Sequence, residues 1–254
     1  MKVGQTMSLA SILACSLFLA LPAAHAVEWS VEDGGWCQLV RLPLPASAPE
    51  AGPVPTGVAA AAEPAASGGE EGFETLFNGK NLDGWLIQGL EKAGPKVQED
   101  GVLAVGGWDY WAVITKKDFK NFVLRFDVKL EPKGNSGILI HTPKKEVFKS
   151  CFEIQLADDT GVKENEKLSG AIFGKAAPAK NAMKPIGEWN SVEIKAEGPK
   201  LWVTINGEAV QDGVDLSRIE GLKHKLDRGG IAIQRNDYKK AAFFRNIRIK
   251  SLPD

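Results

Sequence analysis

The sequence predicts an all-β domain in which two antiparallel sheets pack face to face. Apolar and polar residues alternate along several segments, most clearly FVLRFDVKLE at 122–131, and a period of two puts alternate side chains on opposite faces of a strand. Turn-forming pairs separate these segments, and Asn206-Gly207 after an alternating stretch predicts a tight hairpin. Helical signal is limited to a weak candidate at 216–222. Many strands with polar turns favour a sandwich, and the concave face of a curved sheet suits a saccharide.

Three zones follow one another along the chain. Residues 1–26 are predicted to be a secretory signal peptide, with an apolar stretch before the cleavage pattern Ala24-His25-Ala26. A lipoprotein signal on Cys15 is the alternative, which Leu13 disfavours because a small residue is expected there. Residues 27–72 are predicted to be a largely disordered Ala/Pro-rich linker, and residues 73–254 the folded domain.

Composition excludes some classes of protein. The formal net charge of −1 and the lack of an arginine-rich run argue against nucleic-acid binding. No second long apolar run follows the signal, so we expect no transmembrane segment after its removal and a secreted or periplasmic location. Cys37 and Cys151 remain after cleavage and could pair in an oxidising compartment, but the spacing of a zinc site is missing.

An acid and an amide lie two residues apart in one predicted strand. Glu153 and Gln155 should share a face, while Phe152, Ile154 and Leu156 point into the core. A plain β core does not need this pair of polar groups. Sugar hydroxyls need fixed donors and acceptors, so the pair points to a carbohydrate.

Six motifs in order carry a family resemblance. They are FETLFNGKNLDGW (73–85), GNSGI (134–138), EIQ (153–155), GAIFG (170–174), GEWN (187–190) and FRNIRIKSL (244–252). Together they make residues 73–252 resemble the 3-keto-disaccharide hydrolase domain family. The resemblance implies a concanavalin A-like jelly-roll β-sandwich. It also implies extracellular or periplasmic breakdown of glycosides oxidised at carbon 3, by hydrolases, lyases or hydratases.

The chain departs from the family pattern at three positions. His141 stands where relatives usually have arginine, Phe173 replaces a tyrosine, and Asn236 replaces a histidine. If that histidine transfers protons in relatives, the substitution at Asn236 alters or removes the chemistry.

The expected catalytic residues are Glu153 and His141. Glu153 is the candidate base or metal ligand, and its alternative is a solvent-facing strand glutamate. His141 has the pKa range of a general acid or base, against the alternative of a surface histidine. The expected substrate-binding residues are Asn135, Gln155, Asp158, Lys175, Glu188, Trp189, Gln234 and Asn236.

Several of the binding candidates also have structural interpretations. Asp158 could cap a turn, Lys175 could be a solvated lysine, and Trp189 could belong to the core. The sequence establishes no cofactor. A divalent Ca²⁺, Mg²⁺ or Mn²⁺ on Glu153, Asp158 and His141 stays possible from ligand type alone, because no spacing establishes it.

Three functions are compatible with these residues. The first is an exported enzyme that cleaves an oligosaccharide or other 3-keto-glycoside, by hydrolysis or by elimination and hydration. The second is a non-catalytic carbohydrate-binding module on a flexible linker, suggested by the seven tryptophans. The third, a conventional retaining glucanase, is disfavoured because Gln155 replaces the second acid that such an enzyme needs.

Overall fold

A computed structural model of the chain describes residues 71–88, 94–106, 111–145, 147, 151–220, 227–235 and 240–254. The predicted signal peptide, residues 27–70 of the predicted linker, and Cys37 lie outside the described residues. In the described part, no helix has the length and apolar content needed to span a membrane.

Thirteen strands in the described part form two antiparallel sheets. The strands are β1 (Glu74–Thr75), β2 (Trp85–Gln88), β3 (Lys96–Val97), β4 (Leu103–Val105), β5 (Trp111–Thr115), β6 (Phe122–Leu130), β7 (Asn135–Thr142), β8 (Phe152–Ala157), β9 (Asn190–Glu197), β10 (Lys200–Ile205), β11 (Glu208–Asp215), β12 (Gly230–Arg235) and β13 (Ala242–Ser251). The eight-stranded sheet has the order β11-β10-β9-β6-β13-β4-β3, with β1 also paired to β13. The five-stranded sheet has the order β2-β5-β12-β7-β8. These two sheets confirm the predicted all-β, concanavalin A-like jelly-roll sandwich.

The main core lies between the sheets and follows the predicted alternation. Every second residue of β6, from Phe122 to Leu130, is buried. Phe126 packs against Phe244 of β13 with ring centroids 5.9 Å apart. Each fully buried side chain of this size stabilises the fold by about 1.5–3 kcal/mol. The sandwich is therefore held mainly by apolar contact between the sheets.

The predicted hairpin at Asn206-Gly207 joins β10 to β11. Both residues have positive φ angles, 52° and 81°, as a two-residue type I′ turn requires. The weak helix candidate beginning at Leu216 is a single 3-10 turn over Leu216–Arg218, capped by the Asp215 side chain.

The connection between β7 and β8 covers part of the outer face of the five-stranded sheet. Its Val147 belongs to a second apolar cluster on that face, made of Ala112, Ile114, Leu139, Val147 and Ala232. The ammonium of Lys144 donates to the carbonyl of Thr115 at 2.5 Å and pairs with Asp118 at 2.6 Å. These contacts hold the described part of the connection over the apolar cluster of this face.

Candidate functional site

Glu153 and Gln155 lie on the outer face of β8, as predicted. Phe152, Ile154 and Leu156 alternate with them and belong to the main core. Gln155 is buried, and Glu153 is half-buried. The acid and the amide therefore stand side by side on the face away from the core.

Strand register places Gln155 in a row of residues that crosses the whole sheet. Gln155 is opposite Gly137 of β7, and Gly137 is opposite Gln234 of β12. The row continues through Ala112 of β5 to Gln88 of β2. Three carboxamides from distant parts of the sequence thus share one line on one face.

Gly137 makes room for the side chain of Glu153. A Cβ atom added at Gly137 would lie 2.6 Å from Oε1 and 2.9 Å from Cγ of Glu153. Any other residue here would collide with the glutamate in its present position. The absence of a side chain lets the carboxyl group lie over β7, where it forms a hydrogen bond with the side chain of Gln234.

Burial changes the acidity of the Glu153 carboxyl group. Desolvation raises its pKa to about 7, and the hydrogen bond from Gln234 acts in the opposite direction. Leu139 of the second apolar cluster is its direct neighbour on β7, which accounts for the poor solvation. A carboxyl group with a pKa near neutrality can both accept and return a proton at physiological pH.

The neighbouring thiol of Cys151 is not a comparable reactive group. Burial, together with the negative charge of Glu153, raises its pKa to about 12. Cys151 packs against the second apolar cluster. It therefore stays a neutral thiol, and nucleophilic catalysis by a thiolate is not supported.

Two carboxamide oxygens in the row are free to accept hydrogen bonds. Among the described residues, Oε1 of Gln155 and Oε1 of Gln234 have no hydrogen-bond partner, and the two side chains are 2% and 5% exposed. Leaving a buried acceptor unsatisfied costs about 1–3 kcal/mol. Neighbouring atoms cover both oxygens, so a ligand hydroxyl group would remove that cost by reaching them after those neighbours rearrange.

Among the predicted residues that the structure describes, Asn135 is the one further member of this face. It is half-buried at the start of β7, two residues before Gly137 and on the same side of the strand. Its partner on β8 is Ala157. Asn135, Gln155, Gln234 and Glu153 are thus the predicted site residues that the structure brings together.

His141 lies on the core side of β7 and away from Glu153. Its positive φ of 50° breaks the strand alternation, and its ring meets Phe122 edge-on with centroids 5.9 Å apart. Nε2 is 2.8 Å from the carbonyl oxygen of Lys120. Burial lowers the pKa of His141, so it stays neutral near pH 7. This placement does not support the predicted catalytic role, and we leave His141 out of the proposed catalytic set.

Glu188 and Trp189 belong to the other side of the sandwich. They precede β9, a strand of the eight-stranded sheet. The Trp189 ring is covered by cations, with Arg245 Cζ at 4.2 Å and Lys129 Nζ at 4.9 Å from its centroid. Trp189 therefore lies near the other sheet with cations over its ring, away from Glu153, and we leave it out of the proposed site.

Asp158 and Lys175 have partners of their own. An oxygen of Asp158 accepts from the backbone amide of Lys133 at 2.8 Å, which is the turn-capping alternative. The ammonium of Lys175 donates to the carbonyl of Glu220 at 2.9 Å. Asn236 lies outside the described residues.

Metal ligands do not cluster in the described part of the chain. No group of three or more His, Cys, Asp or Glu side chains there could hold a metal ion. Glu153, Asp158 and His141, the ligand set inferred from residue type, are separated as just described.

Phe173 is a residue of this face that sequence reasoning did not select. Residues 170–174 pair with the free edge of β8: the amide of Phe173 donates to the carbonyl of Glu153 at 2.9 Å, and the amide of Gln155 to that of Ala171 at 3.0 Å. Ile172 faces Ile154 in the core, and Phe173 follows it in a tight turn with its ring exposed and its amide bonded to Glu153. The one signal in the sequence was that Phe173 stands where relatives have a tyrosine.

A depression of about 270 Å³ lies on the outer face of the eight-stranded sheet. Its charged lining includes Arg125 and Glu193, which pair at 2.6 Å, and Asp127, which pairs with Arg245 at 3.1 Å. These charges satisfy one another. We therefore place the site on the five-stranded sheet, where the buried acceptors are.

Known proteins match the region that carries this row. Residues 72–250 match the family model described as the 3-keto-alpha-glucoside-1,2-lyase-like domain. A 3-keto-disaccharide hydrolase from Bacteroides thetaiotaomicron is 25% identical over an alignment 231 residues long, which covers 72% of this chain and 79% of the relative. The family-model range includes Glu153 and all residues of the carboxamide row.

Two solved structures have a similar fold. Both are provisionally assigned glycosyl hydrolases from Parabacteroides distasonis ATCC 8503. The first has a TM-score of 0.61 and 27% identity, covering 72% of this chain and 95% of its own. The second has a TM-score of 0.60 and 28% identity, covering 71% of this chain and 99% of its own.

Proposed function

Because this chain belongs to the 3-keto-alpha-glucoside-1,2-lyase-like domain family, we propose that it is an exported enzyme that cleaves 3-keto-glycosides with Glu153 as its base. The observation that carries the proposal is the Glu153 carboxyl group, whose pKa burial raises to about 7, beside the acceptors of Gln155 and Gln234. The family and the similar proteins support a carbohydrate-active hydrolase, without specifying the sugar or the bond that it cleaves.

The proposed reaction begins with proton transfer from carbon 2 of the sugar. The 3-keto group acidifies the C2–H bond, and the Glu153 carboxylate takes the proton while the electron pair moves into an enolate. The enolate then forms a C1–C2 double bond and expels the C1 oxygen with its electron pair. Protonated Glu153 is a source of the proton that the leaving oxygen needs.

Water completes net hydrolysis in this scheme. Its oxygen adds to carbon 1 and a proton returns to carbon 2, which restores a saturated 3-keto sugar. A lyase stops after elimination, and a hydrolase carries out both steps. Neither outcome needs the pair of flanking carboxylates of an ordinary glycosidase.

The carboxamides have a separate task in this proposal. Oε1 of Gln155 and Oε1 of Gln234 would accept hydrogen bonds from sugar hydroxyl groups. Nε2 of Gln234 would donate to Glu153 and support the carboxylate that removes the proton. The apolar cluster around Leu139 keeps that end of the site poorly hydrated.

Turnover of 4-nitrophenyl 3-keto-glucoside tests the proposal. The wild-type protein should release 4-nitrophenol, and product formed in D₂O should carry deuterium at carbon 2 if hydration follows elimination. Glu153→Gln should reduce kcat at least 100-fold, about the contribution of one general base. Glu188→Gln, an exposed residue near the other sheet, is the matched control and should keep wild-type activity.

A non-catalytic binding module is the second candidate. The observation that favours it is that the described face holds hydrogen-bonding amides around a single acid, with His141 turned toward the core. Binding of 3-keto-glucosides without release of the leaving group, at any pH between 5 and 9, would support the module and overturn the enzyme.

A further inference from the structure

The exposed aromatic ring of Phe173 stands beside Glu153. Residues 170–174 extend the five-stranded sheet at its β8 edge. Ile154 and Ile172 form the bridge, and Phe173 follows as the first residue of the tight turn closed by the hydrogen bond from the Lys175 amide to the Ile172 carbonyl at 2.8 Å. The amide of Phe173 donates to the carbonyl of Glu153 at 2.9 Å, so the two backbones are in direct contact.

Phe173 is unusually exposed for an aromatic side chain of this protein. It is 39% exposed, whereas the other described aromatic side chains are buried or half-buried. Such exposure of a large apolar ring costs free energy that partial burial by a ligand would recover. The ring is therefore available as a contact surface at the edge of the site.

The row and the ring together have the dimensions of a two-part ligand. Gly137 of β7, under the Glu153 carboxyl group, is separated from residues 170–174 by two strand spacings, or roughly 10 Å. That distance accommodates one sugar over the amides and a second group over the ring. Amide acceptors suit the hydroxyl-rich sugar, and an aromatic face suits a group with an apolar surface.

Resting on the function proposed above, we propose that Phe173 is the platform for the leaving group. The site would then take 3-keto-glycosides whose C1 substituent presents an apolar face, such as an aryl ring or the C–H face of a second pyranose. A small alkyl substituent would gain nothing from the ring. Phe173 is thus a specificity-determining residue that binds the leaving group and takes no part in proton transfer.

Binding to the Glu153→Gln protein tests this proposal without requiring turnover. Isothermal titration would measure the Kd of phenyl 3-keto-glucoside and of methyl 3-keto-glucoside, with and without Phe173→Ala. The phenyl compound should bind about ten-fold more weakly after the substitution, and the methyl compound should change less than two-fold. Phe173→Tyr should restore the phenyl affinity.

A matched control and two contrary outcomes make the experiment decisive. Ile186→Ala removes another exposed apolar side chain, 38% exposed, and should alter neither Kd. An equal loss for both ligands would mean that the ring holds the keto-sugar itself, and no loss for either would mean that it holds nothing. Either result would contradict the proposal that Phe173 binds the leaving group. The wild-type protein could show no turnover while Phe173→Ala weakens binding of the phenyl compound alone. That combination would support the role of Phe173 in binding and contradict only the proposed enzymatic activity.

Discussion

Glu153 occupies space that a side chain at position 137 would fill. Oε1 of the glutamate lies 2.6 Å from where a Cβ of Gly137 would be. The obstacle would be Cγ and the carboxyl group of the Glu153 side chain, so a methyl group here should force that side chain to rotate and leave the backbone in place. Position 137 therefore controls where the proposed base stands.

Gly137→Ala should separate activity from stability. We expect kcat on 4-nitrophenyl 3-keto-glucoside to fall at least ten-fold because Glu153 is displaced, while the free energy of unfolding changes by about 1 kcal/mol or less. Steady-state kinetics and urea unfolding would measure the two effects. Gly134→Ala is the contrast: its Cβ would lie 2.7 Å from the backbone oxygen of Glu131, so it should cost about 1–3 kcal/mol of stability. Full activity of Gly137→Ala would contradict the proposed position of the base.

The pH dependence of kcat/KM should follow the ionisation of Glu153. Burial raises its pKa to about 7, and only the carboxylate can remove the C2 proton. Activity should rise with pH, reach half its plateau near pH 7 and stay high above it. A profile with its midpoint near pH 4.5, the ordinary value for glutamate, would show that another group is the base.

Stability should respond to the same ionisation with the opposite sign. The folded carboxyl group holds its proton up to a pH near 7, whereas in the unfolded chain it loses it near 4.5. The native state therefore binds more protons between these values, and stability falls as pH rises through that window. The difference in unfolding free energy between wild type and Glu153→Gln isolates this contribution, which should reach about 3 kcal/mol between pH 4 and 8. A difference independent of pH would mean that the group is not desolvated.

The two glutamines should leave different kinetic signatures. Gln234 forms a hydrogen bond that lowers the pKa of Glu153, so Gln234→Ala should shift the midpoint of the pH profile upward by roughly half a unit or more. Gln155→Ala should raise KM several-fold through a lost hydroxyl contact and leave the midpoint where it was. Equal shifts in both variants would argue against the separate roles.

His141 should prove structural. His141→Ala removes the contact with the Lys120 carbonyl and part of the packing on Phe122, so it should cost about 1–3 kcal/mol of stability. The kcat of the folded protein should remain within about two-fold of wild type. Urea unfolding and kinetics on the same preparation would measure both. A large fall in kcat with unchanged stability would return His141 to the catalytic set.

Local pattern was enough to predict the strands and the pair on β8. The period of two in β6 and the hairpin at Asn206-Gly207 depend on neighbours in sequence, so both could be inferred directly. The shared face of Glu153 and Gln155 follows from the same period. These features need no knowledge of which strand pairs with which.

Position within the sandwich was beyond the reach of local pattern. Gln234 meets Gly137 through pairing between strands almost 100 residues apart, and Trp189 lies with the opposite sheet because β9 pairs with β6. His141 left the expected face because of a single backbone angle, a φ of 50°. Phe173 joined the site through an edge pairing that the alternation of apolar residues does not reveal.

The origin of the Glu153 acidity has a consequence for the habitats in which the protein can work. Its pKa is raised by burial, without a contribution from a charged neighbour. Dissolved salt screens interactions between exposed charges and has much less effect on the desolvation of a buried group. The rise of kcat/KM with pH should therefore have the same midpoint at low and at high salt concentration. The architecture of the sheet, and not the ionic strength of the medium, would set the pH at which the molecule works.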